Sequence, residues 1–179
     1  MDVDKIAEVA ALIRSRNAID ERIGAIIGRP ALPGHLGEWL AAEVFDIALE
    51  TSASAKAIDG RFRCGPLAGQ TVNIKTYGKR EGLLDGSDDP SLDFYLVLCG
   101  PKATSMTSRG GTRPWCIANA YLFDAAELRA DQLARGIKAG VASSVRAALW
   151  ATAEIYPNPK HPILRITPEQ ASALGHFAV

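Results

Sequence analysis

The chain is short of cysteine and aromatic residues and has no excess of either charge, and each shortage narrows the choices. Its three cysteines, Cys64, Cys99 and Cys116, are far apart and form no Cys-x-x-Cys pair. No disulfide framework is therefore spelled out, and two of the three lie in apolar runs as expected for buried free thiols in a reducing cytoplasm. Lys+Arg and Asp+Glu balance at 20 each, so no overall positive field advertises nucleic acid, and any such site must be a local patch. No run is long and apolar enough to span a bilayer, and the N-terminus lacks a signal-peptide layout, so no membrane partner is expected. Repeats, low-complexity tracts and linkers are missing too. What remains is a chain of 179 residues, 47% hydrophobic, enough for one domain with a proper core.

The most informative stretch is Val72 to Tyr77. It reads as a strand with Val72, Ile74 and Thr76 on one face and Asn73, Lys75 and Tyr77 on the other. An amide, an ammonium and a phenol in one row are costly to bury without partners. A solvated sheet face is the plain alternative, since antiparallel sheets often keep one wet side. Upstream, Asp59 precedes a hairpin-like passage, Gly60 to Gly69, punctuated by Gly65-Pro66 and Ala68-Gly69. If 61–63 pairs with 71–77, Asp59 comes close to Asn73 and Lys75. Glu38 sits on a helix introduced by Pro33-Gly34 and running to about Leu49, among Leu36, Trp39, Leu40 and Phe45. Two carboxylates, an amide oxygen and a lysine form a set suited to metal-assisted phosphodiester cleavage. Oxygen ligands hold Mg²⁺, and the lysine stabilises charge or orients a water.

Helix Glu, then Asp, then a hairpin into Asn-x-Lys resembles the core of the PD-(D/E)XK nuclease superfamily, here as Glu38, Asp59, Asn73 and Lys75. The wider wording, GHLGEWLAAEVFDIALE followed by AIDGRFRCGPLAGQTVNIKTYGKREGLLD, is similar to a bacterial branch of it, over roughly residues 17 to 155. The resemblance implies a restriction-endonuclease-like arrangement, with Glu38, Asp59 and Asn73 near Mg²⁺ or Mn²⁺ and Lys75 beside the attacking water. Asn73 departs from the family pattern, which has Asp or Glu there; its amide oxygen can ligate a metal but brings no charge.

Around this core, residues 1–28 are expected to form a helical pair, 3–15 and a second helix capped by Asn17 and closed by Gly28. Plain packing on the sheet is the first reading of their apolar stripes, and a partner surface the second. Residues 34–124 would hold the catalytic core and 125–179 the C-terminal helices. Strands are expected at Leu92 to Cys99 and Trp115 to Phe123. Helices are expected at 125–135, capped by Asp124, and at Val141 to Tyr156. A short strand at Ile163 to Ile166 precedes a Thr167-Pro168-Glu169-Gln170 capping box. Arg61, Arg63, Tyr77, Lys79 and Arg80 are candidate nucleic-acid contacts. Arg135, Lys138 and Arg146 are a second basic face, and Gly100 to Pro114, with Lys102, Arg109 and Arg113, is a long Gly- and Ser-rich loop. His35, Glu43 and Asp93 are secondary candidates; Asp85, Asp88 and Asp89 read as solvated or paired with the basic cluster, and His161 and His176 are assigned no chemistry.

The expected fold is thus α/β, one domain, with a central mixed sheet of about four or five strands between helices. The expected function is Mg²⁺-dependent cleavage of DNA, with a homodimer left open. The alternatives are an inactive nuclease-like module that binds nucleic acid or protein, and a small-molecule-binding α/β protein using the Gly-rich loop.

Overall fold

The computed structural model describes residues 2–51, 57–102, 114–137 and 142–178. In chain order it runs α1 (Val3–Ile27), α2 (Pro33–Phe45), β1 (Ile47–Leu49), β2 (Gly60–Phe62), β3 (Thr71–Tyr77), β4 (Leu83–Asp85), β5 (Phe94–Cys99), β6 (Asn119–Asp124), α3 (Ala125–Ala134), β7 (Ala142–Ser144), α4 (Ala147–Ala153), β8 (Glu154–Tyr156) and α5 (Pro168–Gly175). Six strands form one mixed sheet in the order β1-β2-β3-β5-β6-β8, and β4 pairs with β7 in a separate ribbon. All neighbours in the large sheet are antiparallel except β3 and β5, which run parallel with Val72 opposite Phe94 and Lys75 opposite Val97.

The alternation of β3 sorts the core into two layers. Val72 and Ile74 join Leu96 and Leu98 of β5 beneath Leu40, Ala41, Val44 and Phe45 of α2 and Leu174 of α5. Tyr95, Val97 and Cys99 face the other way and pack with Leu128 of α3 and Trp150 and Ala153 of α4. β5 is buried on both sides along its whole length, which its unbroken apolar run anticipates. Gly37 lets α2 lie flush on β3: a Cβ there would overlap Thr76 Oγ1 and stand 3.0 Å from Thr76 Cβ. α5 carries the expected capping box between Thr167 and Gln170. Its Gln170 Nε2 also donates to Val44 O at 2.7 Å, and Ile117 N donates to Phe177 O just beyond it at 2.8 Å.

Several expected elements differ. Residues 3–27 form one helix, with Asn17 inside it, because nothing between Ser15 and Ala18 breaks the backbone; Gly28, at φ 70°, ends it. None of its residues is buried, so it does not cover the sheet. α2 stops at Phe45 because Asp46 turns left-handed at φ 51°, and 47–49 is strand rather than helix end. β6 starts at Asn119, not Trp115, and the long helix over 141–156 is instead β7, a seven-residue α4 and β8. Residues 163–166 form no strand. The large sheet has six strands rather than four or five; β1, β4, β7 and β8, which the pattern did not announce, are only three residues long, too short for a period to register. Among the described residues no helix is long and apolar enough to cross a membrane.

Candidate active site

Asp59 is held by the meander around it. Its N–H donates to Val72 O and its carbonyl accepts from Glu50 N, both at 2.9 Å, which fixes it between the end of β1 and the start of β3. Its carboxylate Oδ2 accepts the Ile74 N–H at 2.6 Å. Burial, the strongest influence, pushes the Asp59 carboxyl above the ordinary aspartate range. The Ile74 N–H pulls it down, Glu38 pushes it up, and Lys75 and Arg29 pull it down. Glu38, Lys75 and Arg29 therefore all lie within electrostatic reach of Asp59. They approach from different sides: Glu38 belongs to the helix on the Val72–Ile74 face, whereas Lys75 shares the opposite face with Val97. Both charges reach Asp59.

This environment has a testable consequence for stability. A carboxyl whose pKa rises on folding binds its proton more tightly in the native state. Its contribution to stability is complete below the unfolded value of 3.8 and is lost as pH rises through the folded value. Asp59→Asn keeps an oxygen for the Ile74 N–H but carries no charge. The variant should unfold at higher urea than the parent at pH 7, with the gain gone at pH 3. Equal midpoints at pH 7 would mean that burial does not penalise the Asp59 charge.

Asn73 is buried, and its Nδ2 donates to Ala57 O at 2.9 Å. Its Oδ1 has no hydrogen-bond partner among the described residues. Glu38 is not a bare ligand either, because Arg29 forms an ion pair with its Oε2. Arg29 is the residue that reading the sequence did not single out; the available signal was a lone cation between the Gly28 helix stop and the helix that carries Glu38. As for a metal, two carboxylates and an amide oxygen are hard donors of the kind that suits Mg²⁺ or Mn²⁺, and the orphaned Asn73 Oδ1 is an acceptor in need of a partner. No cluster of three or more His, Cys, Asp and Glu suited to a metal occurs among the described residues. An ion here would rest on Glu38, Asp59, Asn73 and oxygens of a substrate.

The candidate phosphate contacts are all engaged, to different degrees. Arg61 faces Glu50 at 3.8 Å and Arg63 faces Asp46 at 3.3 Å. Both pairs are exposed, and exposed pairs are weak enough for a phosphate to displace. Lys79 pairs with Glu81. Tyr77 donates its hydroxyl to Asp85 and accepts the Asp85 N–H at 3.0 Å, a link to the β4 ribbon. Arg80 lies inward, with its guanidinium carbon 5.8 Å from the Tyr121 ring centre and 5.7 Å from that of Trp150. It braces the second core layer by cation–π contact. Arg135 and Arg146 both pair with Asp131.

The secondary candidates take structural work. Asp93 accepts the Thr71 N–H at 2.7 Å and its hydroxyl at 2.9 Å, clasping the starts of β3 and β5. His35 Nδ1 meets Pro30 O at 2.9 Å, and Glu43 is exposed. His161 Nδ1 accepts from Leu164 N at 3.0 Å, in the wall of an open cavity of about 400 Å³ between α3 and α4 that includes none of the four candidate catalytic residues. Lys138, Arg109 and Arg113, and with them most of the Gly-rich loop, lie outside the described residues. No protein-family model matches the chain, and no curated protein matches it.

Proposed function

We propose that the chain is a metal-dependent nuclease that hydrolyses phosphodiester bonds, most readily in DNA, with the α/β core arranged in the restriction-endonuclease-like way. What supports this most is the half-buried Asp59 carboxylate, fixed by the Ile74 N–H with Glu38 and Lys75 in electrostatic reach. The order of elements agrees with it: a helix bearing Glu38, a meander bearing Asp59 and Asn73, then a parallel neighbour for the lysine strand. Glu38, Asp59 and Asn73 would hold Mg²⁺ or Mn²⁺, which when bound supplies a Lewis acid for the phosphate and a more acidic water. Lys75 meets the charge that builds on the phosphate oxygens and orients the nucleophile. Arg61 and Arg63, released from their exposed carboxylate partners, would take flanking phosphates.

Two observations favour a second reading, a nuclease-like module that binds without cutting. Arg29 already neutralises Glu38, and Asn73 brings no charge. Asn73→Asp separates the two. A carboxylate placed against Ala57 O loses the amide's hydrogen bond and meets repulsion, so the variant without metal should unfold at lower temperature than the parent. If the position faces an ion, Mn²⁺ should more than recover the loss and bind about tenfold tighter than to the parent, since each added carboxylate strengthens a hard-cation site. Thermal unfolding with and without Mn²⁺ reads both. A loss that Mn²⁺ leaves untouched removes Asn73 from the metal site and favours the binding module. The direct assay is cleavage of duplex, single-stranded and branched DNA and of RNA with Mn²⁺ or Mg²⁺ against chelator; retention without cleavage under every condition defeats the nuclease.

A further inference from the structure

α1 is 25 residues long and none of them is buried. A helix in water owes most of its stability to packing an apolar face, and α1 has one. Ile6, Val9, Leu12, Ile13, Ile19 and Ile26 are each more than half exposed, and Ile23 and Ile27 extend the row. Positions 6, 13, 20 and 27 share one place in a seven-residue repeat, and 9, 16 and 23 share the next. Only Arg16 and Asp20 interrupt the apolar seam, and they pair along the helix at 3.4 Å.

We propose that this face is covered by α1 of a second copy of the chain, lying antiparallel about a two-fold axis that sets Arg16 against the partner's Asp20. The same register places Ile13 against the partner's Ile23 and Val9 against the partner's Ile27, so two reciprocal Arg–Asp contacts sit at the centre with apolar layers on either side. A two-fold axis repeats every contact, which makes the face complementary to itself. Parallel pairing would instead set Arg16 on Arg16 and Asp20 on Asp20. Charge decides for the antiparallel arrangement. The area suffices: at roughly 60–120 Å² of removable apolar surface per Val, Leu or Ile side chain, the six exposed ones from each copy withdraw on the order of 1,000 Å² from water, near what a specific interface needs. The proposal does not rest on the nuclease reading, and activity plays no part in its test.

Sedimentation equilibrium of the full chain tests it. The wild type should be dimeric at micromolar concentration. Ile13→Asp should weaken the dimer by at least about 100-fold, because it buries an unpaired charge in the seam. The unfolding midpoint of the core, followed by near-UV circular dichroism, should hold, since α1 contributes nothing to either core layer, while the far-UV helix signal falls as the uncovered α1 frays. Arg16→Asp and Asp20→Arg should each weaken the dimer about tenfold through like-charge contacts, and an equal mixture of the two should recover wild-type affinity by forming the mixed dimer. A monomeric wild type overturns the proposal. So does a dimer indifferent to Ile13→Asp, a mixture no tighter than the single variants, or a mixture tighter than the wild type, which marks parallel helices.

Discussion

Lys75→Ala is expected, on the nuclease proposal, to lower the rate of DNA cleavage about 1,000-fold while changing DNA affinity only a few-fold, the pattern left when a donor aimed at developing charge is removed. The strand period places Lys75 on the Asn73 face of β3, and Asp59 responds to its charge. Arg61 and Arg63, by contrast, pair with exposed carboxylates. Arg61→Ala should give the opposite pattern, weaker binding with a salt dependence about one unit shallower and substantial cleavage at saturating DNA. Rates at saturating DNA together with binding isotherms at two or more salt concentrations separate the cases. If Lys75→Ala cleaves as fast as the parent, the lysine is not in the active site, and a construction on Glu38, Asp59 and Asn73 loses its electrophile.

The largest effect on stability should come from Gly37→Ala. The added methyl would collide with Thr76, whose Oγ1 and Cβ both lie in its path, so α2 must lift away from β3. Overpacking of this kind costs about 1–3 kcal/mol, and the upper end applies where, as here, the obstruction sits directly on a strand. Thr76→Ala should be nearly neutral alone, because its hydroxyl is buried without a partner, and in combination should recover part of the loss by clearing Oγ1. Urea midpoints of the four proteins close the cycle. Equal losses with and without Thr76→Ala would show that the clash lies elsewhere. Glu38 follows Gly37 on the same helix, so on the nuclease proposal the single variant should also lose cleavage beyond what its folded fraction explains.

Legibility in the sequence followed the strength of local chemistry. β3 announced itself through alternation and β5 through an unbroken apolar run, while Asp124 and Thr167 marked helix starts with side chains that do accept the expected backbone N–H groups. The hairpin leading Asp59 toward Asn73 was readable from its glycine and proline breakers. The three-residue β1, β4, β7 and β8 were not, because one and a half periods of alternation cannot be told from a helix turn. The stripe on α1 reported that a face wants cover without saying what covers it. Nor could spacing show that Arg29 would meet Glu38, that Arg80 would turn inward onto Tyr121 and Trp150, or that Asn73 would spend its amide on Ala57. Those outcomes depend on contacts between segments whose relative placement only the folded chain sets.

The bonds from α5 to the α2 carbonyl of Val44, and from Ile117 to Phe177, join points far apart in the chain. During synthesis, α2 and β1 to β3 leave the ribosome long before α5 exists. Until then the layer formed by Leu40, Val44 and Ile74 has no Leu174 to seal it. The nascent chain must therefore carry an open apolar face through most of its elongation, and final closure waits for the α5 segment to clear the exit tunnel. Stalling translation before Pro168 should leave a protease-sensitive, chaperone-bound intermediate, whereas release after Phe177 should let the core shut.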